Sequence, residues 1–232
     1  MRLWQPDVTW WSQAAQSPMG LRRPDGTIIT IGNKPANILA EMRVQFTDDR
    51  GLSADIMFAE LPSPNAYAFQ IDGRPKVVLG LGLITLLEND PDALRFVIAH
   101  EFAHVALGHV ENNQRQKREE GFSQGGAVLG TVANLIVPFS GMLVSNAVMA
   151  VGRGFSRDEE RAADQHALDW LADRAYSVCG AWRLTQKLRP IHSQQPLAML
   201  STHPSLEERE ASILQRASAR GESCSDGRSG RT

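Results

Sequence analysis

Between Val97 and Val105 the chain reads "VIAHEFAHV", a helix-forming run that is apolar on every side except at His100, Glu101 and His104. A helix of this composition has to lie inside a core, where two imidazoles and a carboxylate are costly unless paired or holding a metal. His100 and His104 stand at i and i+4, so both rings leave one face with Cβ atoms about 5–6 Å apart. That spacing suits two ligands of one ion with N–Zn bonds of about 2.0–2.1 Å. Glu101 is rotated from His100 by about 100°, which sets its carboxylate beside such an ion and not on it. A carboxylate placed there can take a proton from water. The helix opens at Asn89-Asp90-Pro91, with Asp90 as N-cap and Pro91 at the first helical position, and is expected to run on towards Gln116.

His109 does not extend the pattern. The metzincin spacing needs a glycine at position 107 and a histidine at 110, where this chain has Leu107 and Val110. On a continuous helix His109 also lies about 140° round from His104, so it reads as a helix-end histidine. The third ligand must then come from another element. "SRDEERAAD", Ser156 to Asp164, opens a helix with a capping box, which occupies Glu159 with the backbone of Ser156. Glu160 shares its face with Ala163, Asp164, Ala167 and Leu171, the buried stripe of that helix. Glu160 is therefore the expected third ligand. Asp164, one turn on, is the expected acceptor for the N–H of a ligand histidine.

The rest of the chain bounds the setting. Its 232 residues can bury a substantial core, and a net charge of −2 with interspersed signs leaves no footprint for nucleic acid. Cys179 and Cys224 lie far apart and outside any C-x-x-C, so they read as two unpaired thiols in preference to a bridge. No basic start followed by an apolar run is visible at the N-terminus, which leaves cytoplasmic as the default compartment and a membrane-associated or periplasmic one as the alternative if the start is trimmed. Residues 1–26 read as irregular, with Trp4, Trp10 and Trp11 wrapping the domain. A strand is expected at Thr27–Gly32, then a helix from about Pro35 with Ile38, Met42 and Phe46 on one face. Strands are expected in "ADIMFAEL" and on both sides of Asp72-Gly73, and helices after Ser156, around 178–188 and over 204–219. Gly125–Gly152 holds no Asp, Glu, Lys or Arg but is split by Pro138. It is expected to form a buried helical hairpin, with peripheral membrane contact as the alternative. The organisation expected is a segment over 1–50 packed on a domain of 51–218, with a disordered tail over 219–232.

"HEFAH", "SRDEERAAD" and "STHP" at Ser201–Pro204, together with "NAYAF" at Asn65–Phe69, resemble the M48 metallopeptidases, in particular their soluble Oma1- and BepA-like forms. The resemblance covers about Ala54 to Arg209. It implies an α+β, zincin/gluzincin-like fold, a small twisted sheet packed on the HExxH helix with a mainly helical second half. It also implies a zinc metalloendopeptidase with one Zn²⁺ per chain, hydrolysing protein or peptide substrates, in the manner of protein quality control. The strand near Ala66–Phe69 or Val77–Leu81, with Asn65 and Ala66 at its start, would pair with an extended substrate. His203, set before Pro204, would fold over the site, as a fourth ligand that restrains activity or as an oxyanion donor. The ligand role is the one favoured. Two other readings stay open: a regulatory peptidase of the ImmA/IrrE kind, and a non-catalytic zinc-containing chaperone or binding module. Glu101 has no use in a purely structural site, which weighs against the last.

Overall fold

The computed structural model describes residues 3–14, 18–23, 25–50, 52–71, 73–111, 155–194 and 206–225. It is a mixed α+β structure, with a small sheet and several helices. The sheet contains β1 (Leu3–Trp4), β4 (Asp55–Ala59), β5 (Ala66–Ile71) and β6 (Arg74–Gly80) in the order β1-β4-β6-β5. β5 and β6 form the hairpin expected around Asp72-Gly73, with Ala66 opposite Leu79 and Ile71 opposite Arg74. Gly73 takes a positive φ of +76°, a conformation that tight hairpin turns use and that glycine adopts without strain. β4 runs parallel to β6, so β6 is an inner strand and β5 forms an edge among the described residues.

A second, two-stranded sheet joins β2 (Met19–Arg22) to β3 (Ile28–Ile31). β1, α1 (Val8–Gln13) and β2 correct the irregular reading of residues 1–26. Elements of two to six residues are too short to print a period in sequence. Trp10 is buried against Phe58 of β4, with ring centroids 5.2 Å apart.

α2 (Asn33–Arg50) follows, and the face read from its spacing, Ile38, Met42 and Phe46, is buried. Phe46 stacks on Phe102 at 4.2 Å and on Trp170 at 4.6 Å, which joins α2 to two later helices in one core. After α3 (Leu81–Leu87) comes α4 (Pro91–Ala106), capped as expected by Asp90, whose side chain accepts from the Ala93 N–H. Arg183 forks the same carboxylate at 2.9 and 2.7 Å and anchors the start of the helix. Every residue of α4 from Phe96 to His104 is buried.

α5 (Arg157–Asp173), α6 (Cys179–Gln194) and α7 (Leu206–Ala219) complete the description, close to the helices expected there. Gly180 lets α6 approach the first turn of α4, because a Cβ at that position would stand 2.3 Å from the Asp92 carbonyl carbon. None of the described helices is long and apolar enough to cross a membrane. The Gly125–Gly152 stretch lies outside the described residues.

The cysteines overturn the expectation of free thiols, since Cys179 and Cys224 form a disulfide. Their separation of 45 residues hid this, because α6 packs on α7 and returns the chain to the start of α6. Closing a loop of that length removes about 4 kcal/mol of unfolded-chain entropy. Glu222 adds to the tie, accepting from the Ser177 hydroxyl at 2.7 Å and the Val178 N–H at 3.2 Å. Residues 220–225, inside the stretch read as a tail, are thus bound to the body of the protein.

Candidate metal centre

α4 and α5 pack side by side and bring His100, His104 and Glu160 together, all buried, with one possible ligand atom of each within 4.8 Å of the others. The two Nε2 atoms lie 3.2 Å apart. His100 Nε2 stands 3.3 Å from one Glu160 carboxylate oxygen, and His104 Nε2 stands 3.5 Å from the other. Donors bound tetrahedrally to zinc at about 2.0–2.1 Å are about 3.3 Å from one another. The separations lie near that edge length, with His100 and His104 facing different oxygens of the Glu160 carboxylate, so the cluster has the donor types and the size that a zinc ion needs.

The neighbouring Glu159 does what its position at the third residue of α5 requires. It accepts from the Ser156 N–H at 2.8 Å, while its own N–H donates to Ser156 Oγ at 3.2 Å. Helical phase alone separates the two acids: one caps, and its neighbour points into the core. Asp164, one turn beyond Glu160, has Oδ1 2.8 Å from His100 Nδ1. That contact leaves Nε2 as the nitrogen facing Glu160 and His104. The same Oδ1 accepts from Arg209 Nη2 of α7 at 2.6 Å. Burial alone would raise the Asp164 carboxyl, yet Arg209 and His100 outweigh it and hold the group down at about 2.

Glu101 is 1 % exposed, and its Oε1 has no hydrogen-bond partner among the described residues. Burial, with the Glu160 charge added, pushes its pKa up to about 7 against the opposing pull of His100 and Arg209. Burial would lower the His100 imidazole, but Asp164 and Glu160 raise it to about 10. Without metal, a proton therefore sits on His100 where a metal would bind. Since the folded pKa is raised, that proton stays bound until pH rises through about 10, and zinc must displace it at any lower pH. At pH 8, zinc binding is expected to release about one proton per chain. Calorimetry in buffers of different ionisation enthalpy checks this, and a value near zero would contradict the electrostatics described.

His109 departs from the helix-end reading. α4 stops at Ala106, Gly108 takes φ +71°, helical backbone resumes over residues 109–111, and His109 Nδ1 lies 3.0 Å from His104 Nδ1. The assumption of an unbroken helix to Gln116 fails at that glycine. Phe155, just before α5, covers the other side of His104, with its ring stacked at 3.7 Å. Asn65 is buried before β5: its Oδ1 accepts from the Ala66 N–H at 3.0 Å and its Nδ2 donates to the Tyr67 hydroxyl. Of the two strands considered for substrate, β6 is ruled out as an edge and β5 is not. His203 lies outside the described residues. Arg209, Phe155, Tyr67 and the turn at His109 were not singled out from sequence.

A His-Glu-x-x-His helix joined by a carboxylate from a second helix is the arrangement of a metallopeptidase centre. The chain belongs to peptidase family M48, whose model matches residues 39–217. It is 30% identical over 163 residues to the metalloprotease LoiP of Escherichia coli (strain K12), covering 68% of this chain and 60% of that protein. It is 29% identical over 162 residues to a protein of Vibrio cholerae serotype O1 assigned as a beta-barrel assembly-enhancing protease, covering 66% of this chain and 32% of that one. The chain thus spans only part of the length of both relatives.

Proposed function

We propose that this chain is a zinc-dependent metalloendopeptidase of the gluzincin type, holding one zinc through His100, His104 and Glu160. The observation that carries the reading is the buried cluster in which the two Nε2 atoms lie 3.2 Å apart and face the two Glu160 oxygens at 3.3 and 3.5 Å, with Glu101 Oε1, which has no hydrogen-bond partner among the described residues, on the same helix. Zinc held there would supply Lewis acidity for water and for the scissile carbonyl. Glu101 is the proton carrier. It would take a proton from the attacking water and return it to the leaving amine, and its burial, which favours the protonated carboxyl, suits it to hold that proton in between. Asp164 orients His100. The edge of β5, entered through Asn65 and Ala66, receives an extended substrate by backbone pairing, which is tolerant of side-chain sequence. Such tolerance suits protein quality control, and one relative is named for enhancing β-barrel assembly. The Cys179–Cys224 bridge supports an oxidising compartment over the cytoplasmic default.

The test is cleavage of unfolded casein by the purified chain. Cleavage that stops on zinc chelation and returns with zinc supports the proposal. A zinc-loaded chain that binds casein and never cuts it would be a binding module instead.

A further inference from the structure

We infer that Arg209 is a positioning residue of this centre, a buried clamp from α7 that fixes Asp164 and, through it, the orientation of His100. The inference rests on the metal-centre reading above. Arg209 is 4 % exposed, with its guanidinium carbon 5.8 Å from the centre of the Phe96 ring. A cation so deeply buried is unfavourable without a counter-charge, and Asp164 Oδ1 at 2.6 Å supplies one. That oxygen is also the one 2.8 Å from His100 Nδ1. An ion pair serving only to hold α7 against α5 would have no need to share its acceptor atom with a metal-site imidazole.

The shared atom has a consequence. With the guanidinium donating to it, Asp164 Oδ1 is held 2.8 Å from His100 Nδ1, which favours a hydrogen on Nδ1 and, once zinc has displaced the proton there, leaves the Nε2 lone pair for the metal. Without Arg209 the carboxyl is free to turn about its bond to Cβ, and neither the ring orientation nor the tautomer is imposed. Charge points the same way. Three buried acids, Glu101, Glu160 and Asp164, are balanced by one buried guanidinium and the two charges of a zinc ion. Removing the guanidinium leaves the loaded site one charge short. Arg in place of Lys fits the task, because its planar head can lie along Phe96 while donating in its own plane to Asp164.

The experiment measures zinc affinity by chelator competition, and the visible spectrum of the cobalt-substituted protein, for Arg209→Met and Arg209→Lys. Each is made in the native background and with Asp164→Asn. Arg209→Met is expected to weaken zinc binding by about 10–100-fold and to alter the cobalt bands, with Arg209→Lys recovering part of the loss. In the Asp164→Asn background neither substitution should weaken binding further. Native zinc affinity and an unchanged cobalt spectrum in Arg209→Met, with only a lower melting temperature, would overturn the inference. If that variant does not fold, Arg209→Lys decides. Weakening in the native background alone supports the clamp, and equal effects in both backgrounds, or none in either, refute it. Failure of the metal-centre reading itself looks different, since the unsubstituted chain would then bind no zinc at this cluster.

Discussion

Glu101→Gln is expected to lower kcat on casein by about a thousandfold while leaving one zinc bound per chain. The amide has nearly the carboxylate's shape, so the packing of α4 is preserved, and it cannot carry a proton. Glu101 Oε1 makes no hydrogen bond among the described residues, so no structural contact is broken by the change. Its burial and raised pKa are what distinguish it from a surface acid. Zinc content by elemental analysis and kcat by fluorescent-casein assay separate the two effects. Loss of zinc along with activity would make Glu101 a ligand, and near-native turnover would remove it from the reaction.

The second large effect is a contrast between neighbours. Glu160→Ala deletes a fully buried carboxylate facing both Nε2 atoms and is expected to abolish zinc binding at concentrations that saturate the native chain. Glu159→Ala deletes one half of a capping box and is expected to cost only about 1 kcal/mol. That is a fall of about 2–4 °C in melting temperature for a chain of this size, with zinc retained. Elemental analysis and thermal denaturation of the two variants read both outcomes. The reverse pattern would move the third donor by one residue.

The placement of Glu159, Glu160 and Glu101 on their helices was legible in sequence because helical phase is a local property. Ser156 and Glu159 specify where α5 begins, and the register of every later residue on that helix follows, Glu160 and Asp164 included. Asp90 and Pro91 do the same for α4. What stayed hidden depends on contacts between distant elements or on a single backbone torsion. Gly108 ends α4 early through a positive φ, a conformation open to any glycine and demanded of none, and so redirects His109 onto His104. Arg209 lies among the charged residues at the start of α7, and only the packing of α7 on α5 shows it turned inward onto Asp164. Cys179 and Cys224 meet because two helices fold back on each other, which their spacing does not announce. The short strands at the N-terminus exist through pairing with β4 and with each other, and so have no period of their own to detect.

The central claim is that one zinc ion is held by two histidines of α4 and one glutamate of α5, with Glu101 beside it and unbonded. Anomalous diffraction at the zinc edge from crystals of the zinc-loaded chain tests it most directly. A single strong peak is expected about 2.0–2.2 Å from His100 Nε2, His104 Nε2 and a Glu160 carboxylate oxygen. A peak bonded to Glu101 or Glu159, or one lying away from α4 altogether, would contradict it.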